Sequence, residues 1–130
     1  MTINFNKSTT VGAFQSAFHA HYPFLKLVFF RHQNEGEDIW TSPMVISNRI
    51  LLGELSDILP NKWEAHFTAS PNMTIAEFEN TLQNKFNLAI RIFKKDTGDW
   101  TETTDCRHID LEGANELAAM RNPSIKDIIL

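Results

Sequence analysis

The chain is short of cysteine, of glycine and of long apolar runs, and each shortage excludes a class of protein. The single cysteine, Cys106, cannot form an intramolecular disulfide, so no disulfide framework holds the fold. The five glycines are dispersed, and the glycine-containing phosphate-binding and nucleophile motifs do not occur. No apolar run reaches the roughly 18 residues of a bilayer-spanning helix, and MTINFNKSTT does not resemble a secretory signal. We therefore expect a soluble, cytoplasmic protein without a membrane partner.

Basic residues are scarce as well. There are 12 Lys and Arg against 16 Asp and Glu, a formal net charge of -4, and the only adjacent basic pair is Lys94 and Lys95. Nucleic-acid binding depends on clustered positive charge. The strand K/R-G-F/Y-G/A-F-V-x-F/Y, which carries the stacking aromatics of RNA-recognition folds, is absent. We expect no nucleic-acid partner.

Apolar residues are plentiful, at 42% of 130 residues, which is enough for one globular core. Two stretches have the 3.6-residue periodicity of a helix with one apolar face. These faces are Val11, Phe14, Phe18 and Tyr22 in the first stretch and Ile75, Phe78, Leu82 and Phe86 in the second. Thr74 and Glu77 form a capping box at the second helix start, whereas the first helix relies on Ser8, Thr9 or Thr10. Pro23 and Asn87 are predicted to end the two helices.

The two stretches belong to an internal repeat. Residues 10–31 align with residues 74–94 if Phe24 is treated as a one-residue insertion, and a polar turn containing glycine and then Trp-Thr follow each copy. Alternation predicts core-facing rows on the strands, namely Leu25, Leu27 and Phe29, then Leu88, Ile90 and Ile92. We predict an α+β fold in which helices pack on a mixed β-sheet containing a parallel pair. Two pseudo-symmetric strand–helix–strand–strand–helix repeats, about 1–60 and 61–121, would share one core in a single domain 1–130, followed by an apolar tail, 122–130.

The repeated segment also resembles a known sequence pattern. Residues 74–103, and more weakly 10–41, are similar to small uncharacterised bacterial proteins with a recurring TVxEFE…FGLxVQVFRK…W signature. The matching positions are mainly apolar or turn-forming, so the resemblance implies the helix–strand architecture and brings no catalytic residue. This chain departs from the pattern at Asn87, where those proteins tend to have glycine.

The sequence HAH raises the question of a metal site. His19 and His21 are two residues apart, whereas two ligands on one helix need a spacing of three or four to face the same ion. In the alignment they correspond to Gln83 and Lys85. We interpret both histidines as surface residues.

The sequence DCRHID contains residue types that serve in zinc sites and in thiol catalysis. Asp105, Cys106, His108 and Asp110 stand close together, but no second cysteine or spaced histidine pair accompanies them. We therefore expect no metal site, no cofactor and no catalytic residue, and nothing in the sequence supports an enzymatic activity.

Surplus aromatic residues are the most informative candidates for a binding site. Phe30 and Phe93 fall on the strand row opposite the core row, Trp40 and Trp100 begin the neighbouring strands, and Arg91 lies beside Phe93. Ile128 and Leu130 make the chain end apolar. We predict a non-enzymatic protein-interaction or self-association module that binds a protein partner or forms a homodimer.

Three alternatives stay open from the sequence. In the first, another layer of structure covers the row that contains Phe30 and Phe93, so that no aromatic patch is exposed. The tail would dock on its own domain rather than on a partner subunit. The protein would bind a small molecule, or act as an enzyme, with a pocket between the halves lined by Trp40, Trp100 and His108.

Overall fold

The computed structural model describes residues 1–30, 46–55 and 65–121. Its elements, in chain order, are β1 (Thr2–Phe5), α1 (Val11–His21), β2 (Leu25–Phe30), α2 (Leu52–Leu55), β3 (Ala65–Thr68), α3 (Ile75–Phe86), β4 (Ala89–Asp96), β5 (Asp99–Glu102) and α4 (Leu111–Arg121). Helices and sheets are both present in quantity, which confirms the predicted α+β class. Within this part of the chain, no helix combines the length and apolar character needed to cross a bilayer.

Strand pairing differs from the prediction. The described strands form two antiparallel sheets, one with the order β1-β3 and one with the order β2-β4-β5. The predicted parallel pair, and with it the mixed sheet, is wrong for these strands. The expected partners β1 and β2 lie in different sheets. β1 pairs with β3 and β2 pairs with β4, which are the strands that correspond to them in the second aligned segment. Ile3 lies opposite Phe67, and Val28 lies opposite Arg91.

The ends of the two long helices follow the local sequence. The Thr10 hydroxyl accepts the Ala13 N–H at 3.0 Å, and the Thr74 hydroxyl accepts the Glu77 N–H at 3.1 Å. Both bonds satisfy donors that a helix start leaves unpaired. In α3 only this half of the predicted capping box occurs among the described hydrogen bonds. Asn87 ends α3 in the left-handed conformation, with φ 53°, a conformation that glycine and asparagine adopt most readily at helix ends.

Both predicted core rows and most of both helix faces are buried. The strand residues Leu25, Leu27, Phe29, Leu88, Ile90 and Ile92 are all core residues. The Phe14 ring packs edge-on against Phe5 and Phe29, with ring centroids 5.2 and 5.7 Å apart. The Phe18 ring contacts Phe78 at 5.2 Å and so joins α1 to α3. One hydrophobic cluster therefore contains side chains from both aligned segments.

Corresponding backbone groups anchor the two helix starts. Val11 N–H donates to Ile50 C=O and Ile75 N–H to Ile109 C=O, while Gly12 N–H donates to Asn48 C=O and Ala76 N–H to Arg107 C=O. Residues 48–52 and 107–111 thus occupy matching places beside α1 and α3. Asn48 can therefore be compared with Arg107, and Gln15 on α1 with Glu79 on α3.

Asn87 offers a test of the α3 terminus. Replacing Asn87 by alanine is expected to lower the free energy of unfolding by about 1 kcal/mol, because a Cβ without a polar head is strained in the left-handed region. Replacing it by glycine is expected to cause no loss. Urea denaturation measures both, with Asn84→Ala on the exposed surface of α3 as control. Equal stability of the alanine and glycine variants would contradict the assignment.

Candidate functional site

The face of the three-stranded sheet opposite the core is the candidate binding surface. Strand alternation places on it one row from each strand, and we call the following partly exposed residues the outer face: Lys26, Val28, Arg91, Phe93, Lys95 and Trp100. Apolar and cationic side chains alternate there. The exposed Glu102, directly opposite Phe93, is the carboxylate that shares this side.

The predicted interaction residues have different positions in the structure. Phe93, Arg91 and Trp100 lie on the outer face, each of them partly exposed. Phe30 belongs to the same row but is only 3% exposed, and its neighbour Ala89 is 8% exposed, so this end of the row offers no surface to a partner. Alternation identifies the side of a strand and does not reveal what packs on it. Trp40, Ile128 and Leu130 lie outside the described residues.

A groove of about 890 Å³ continues from the outer face over the edge of β2 to α1, and we call it the α1–β2 groove. The residues that matter for its chemistry are Gln15, His19, Lys26, Asn48, Arg49 and Trp100. The pocket that the sequence left open as an alternative was lined by Trp40, Trp100 and His108. The α1–β2 groove contains Trp100, but its histidine is His19. His108 is exposed elsewhere.

Two polar side chains of α1 build the floor of this groove. The Gln15 amide donates to Leu27 C=O at 2.9 Å, and His19 Nδ1 donates to Leu25 C=O at 2.9 Å. Both carbonyls lie on the edge of β2 that faces away from β4. Side chains four residues apart on α1 reach carbonyls two residues apart on β2, because four helix residues rise about 6 Å and two strand residues span roughly 6.6 Å. The i,i+4 spacing of Gln15 and His19 could have predicted that both side chains reach the same strand edge. The i,i+2 pair His19 and His21 does not indicate this contact.

The two histidines are both exposed, which confirms their prediction as surface residues. His21 packs edge-on against the neighbouring Tyr22 ring at 4.6 Å. His19 does more than face solvent, because its ring also contacts the Trp100 ring edge-on at 5.9 Å. Lys26 Nζ lies 4.8 Å from the Trp100 ring centroid, within the range of a cation–π contact. Trp100 is thereby held between α1 and β2 at the mouth of the groove.

The place that corresponds to the groove beside α3 is filled by an ion pair. Glu79 is 2% exposed, accepts the Ile92 N–H at 2.8 Å, and forms salt bridges with Arg107 and, at 3.6 Å, with Arg91. A buried carboxylate needs such partners to offset its desolvation. The burial of Glu79 could not be predicted from the sequence, because a lone Glu on a helix is usually solvated.

Beside α1 the corresponding residues are neutral. Gln15 takes the place of Glu79, Asn48 that of Arg107, and Val28 that of Arg91. These side chains are shorter or uncharged, and all three line the α1–β2 groove.

Cys106 does not lie in a reactive environment. Burial raises the pKa of its thiol and Asp105 raises it further, while Lys94 opposes both. The Lys94 ammonium, 3.0 Å from Asp105, lowers the pKa of that carboxyl. A raised thiol pKa makes the thiolate, which is the nucleophile, scarce at neutral pH. Within residues 1–30, 46–55 and 65–121, no group of three or more His, Cys, Asp or Glu side chains is placed to hold a metal ion.

The thiol assignment can be measured. Alkylation of Cys106 by iodoacetamide is expected to rise with pH around a midpoint above about 8.5, the ordinary thiol value. Burial raises the pKa of Cys106 in the folded state. The contribution of this thiol to stability is therefore fully present below the pKa of the unfolded chain and is lost as pH rises through the folded-state pKa. The fully denatured chain is the control. A midpoint in the folded protein at or below that of the denatured chain would contradict the assignment.

The fold and this surface define an α+β protein with a cationic, aromatic sheet face that continues into a groove. Comparison with known proteins finds no matching family model, no similar curated protein and no similar solved structure.

Proposed function

We propose that this protein is a protein-interaction module that binds a partner through the outer face. The observation that supports this function is the partial exposure of Phe93, Trp100 and Val28 among Lys26, Arg91 and Lys95. Large aromatic side chains and arginine are enriched at protein interfaces, where they contribute most of the binding energy.

We also propose that the binding surface is built on two pseudo-symmetric halves. The alignment that matches Val28 with Arg91 also matches Ile3 with Phe67 when it is continued back from Thr10 and Thr74. Both matched pairs lie directly opposite each other in antiparallel sheets. Such pairing is expected around a two-fold axis that relates two copies of one unit.

Charge favours a different protein over a second copy of this chain as the partner. In a two-fold contact between outer faces, the patch that contains Lys26, Arg91 and Lys95 would pack against the same patch of the other copy. Like charges brought together in an interface oppose association. An acidic partner avoids this repulsion, and self-association is the competing outcome of the test.

Site-directed photocrosslinking tests the proposed function. Phe93 is replaced by p-benzoylphenylalanine, which keeps an aromatic ring at the outer face, and the protein is irradiated in its host cells. Crosslinks to a distinct protein, identified by mass spectrometry, are expected. The matched control carries the same group at Asn84, on the exposed surface of α3. Crosslinks to a second copy of this chain would replace the partner by self-association, and equal labelling from both positions, or none from Phe93, would refute an interaction through this face.

A further inference from the structure

We infer that the α1–β2 groove receives an acidic side chain from a peptide segment of the partner. This inference rests on the proposed function and adds the chemistry of the partner. It is carried by the charge of the groove, by its comparison with the Glu79 ion pair, and by the way the β2 edge is occupied.

The groove is positively charged in an acidic protein. Lys26 and Arg49 line it, and no carboxylate is among its described lining residues. The whole chain has 16 Asp and Glu against 12 Lys and Arg, so this segregation of charge is local. A cleft lined by one sign of charge concentrates ligands of the opposite sign. Arginine and lysine bind carboxylates through charge-assisted hydrogen bonds, which are the stronger class.

The matching place beside α3 already holds a carboxylate. There the Glu79 side chain lies between α3 and the edge of β4, against Arg107 and Arg91. Beside α1 the space is present but its own helix supplies the neutral Gln15, whose amide is committed to Leu27 C=O. The cations Lys26 and Arg49 line this space, whereas the residues that match the two arginine partners of Glu79 are the neutral Asn48 and Val28. A carboxylate that enters from outside would meet Lys26 and Arg49 there, as the Glu79 carboxylate meets Arg91 and Arg107 beside α3.

The β2 edge restricts how the partner binds. Its outward carbonyls at Leu25, Leu27 and Phe29 already accept hydrogen bonds from His19, Gln15 and the Ile46 N–H. A partner strand that extended the sheet at this edge would need those carbonyls as acceptors. Recognition therefore proceeds through side chains: an acidic residue at Arg49 and Lys26, and an apolar or aromatic residue against Trp100.

The experiment selects a displayed library of random peptides on the wild-type protein, on Arg49→Glu and on Lys85→Glu. Arg49 and Lys85 are both exposed, and each substitution changes the net charge equally, but Lys85 lies on α3 outside the groove. Acidic peptides that also carry an apolar or aromatic residue are expected to be enriched on the wild type and on Lys85→Glu. Their affinity for Arg49→Glu is expected to fall about tenfold or more, the effect of losing one charge-assisted hydrogen bond.

A second variant closes the groove without reversing its charge. Gln15→Glu combined with Asn48→Arg introduces the residue pair that Glu79 and Arg107 form beside α3, and it is expected to abolish binding of the selected peptides. Circular dichroism shows whether this variant is folded, and Arg49→Glu carries the test if it is not.

Three results would overturn the inference: no enrichment of acidic peptides on the wild type, selected acidic peptides that bind Arg49→Glu as tightly as the wild type, or competition by free glutamate at the concentration of the peptide itself. In each case, continued crosslinking from position 93 would leave the proposed function standing. Loss of that crosslinking together with intact peptide binding would instead refute the proposed interaction through the outer face and support peptide binding in the groove.

Discussion

Replacing Phe78 by alanine is expected to lower the free energy of unfolding by about 4 kcal/mol, the usual cost of a large cavity in a packed core. Phe78 is fully buried and its ring contacts both Phe18 of α1 and Phe67 of β3, at 5.2 and 5.1 Å between centroids. It therefore joins elements from both aligned segments. A loss this large is a considerable part of the 5–15 kcal/mol by which most domains are stable.

Urea denaturation followed by circular dichroism and by tryptophan fluorescence measures this effect. We expect one transition with coincident midpoints, because one core contains residues of both segments. Phe18→Ala is expected to have a similar effect, and the double variant to lose less than the sum, since the two rings contact each other. Leu117→Ala, at a side chain that is 52% exposed, is the control. Two separate transitions, or a fully additive pair, would show that the halves do not share a core at these residues.

Replacing Glu79 by alanine is expected to cost about 3 kcal/mol, because it removes a buried ion pair and leaves the Ile92 N–H without its acceptor. The cost falls at the lower end for a buried ion pair, since Arg91 and Arg107 are each about a third exposed and can turn toward water. Glu79→Gln is expected to lose less, because an amide oxygen can still accept from Ile92.

Denaturation at neutral pH compares these variants with Glu116→Ala, which removes an exposed carboxylate from α4 and is expected to change stability by less than about 0.5 kcal/mol. Gln15→Ala gives the corresponding change beside α1, where one neutral hydrogen bond is lost and about 1 kcal/mol is expected. If Glu79→Ala were no more destabilising than Glu116→Ala, the buried ion pair would not stabilise the fold.

Local features of the fold were predictable from the sequence because they depend on neighbours along the chain. Threonine before an apolar helical pattern predicts a helix start, and Thr10 and Thr74 cap α1 and α3. Alternation in LKLVFF and LAIRIF predicts which strand residues face the core. Asn87 could be recognised as a helix terminator because asparagine tolerates the left-handed backbone that ends α3.

Strand pairing was not predictable in the same way. A strand–helix–strand order is typical of a parallel pair, but β1 finds its partner in β3 and β2 finds its partner in β4. The choice depends on contacts between residues far apart in the chain, which a pattern confined to one segment does not contain. The same limit applies to Phe30, whose row was predicted correctly, whereas the sequence left open whether another layer covers it; in the structure it is buried.

The candidate site shows most clearly which features depend on local sequence and which depend on tertiary packing. The helices, the core rows and the aromatic and basic residues of the second strand row could be read from the sequence, because they follow from periodicity and local hydrogen bonding. Tertiary packing was needed to bury Glu79 between two arginines, to bring Gln15 and His19 to the edge of β2, and to place Lys26, Arg49 and Trp100 around one groove. Each of these depends on the packing of a helix against a strand edge, and the energy of a charged or polar side chain is set by the partners that packing brings within reach.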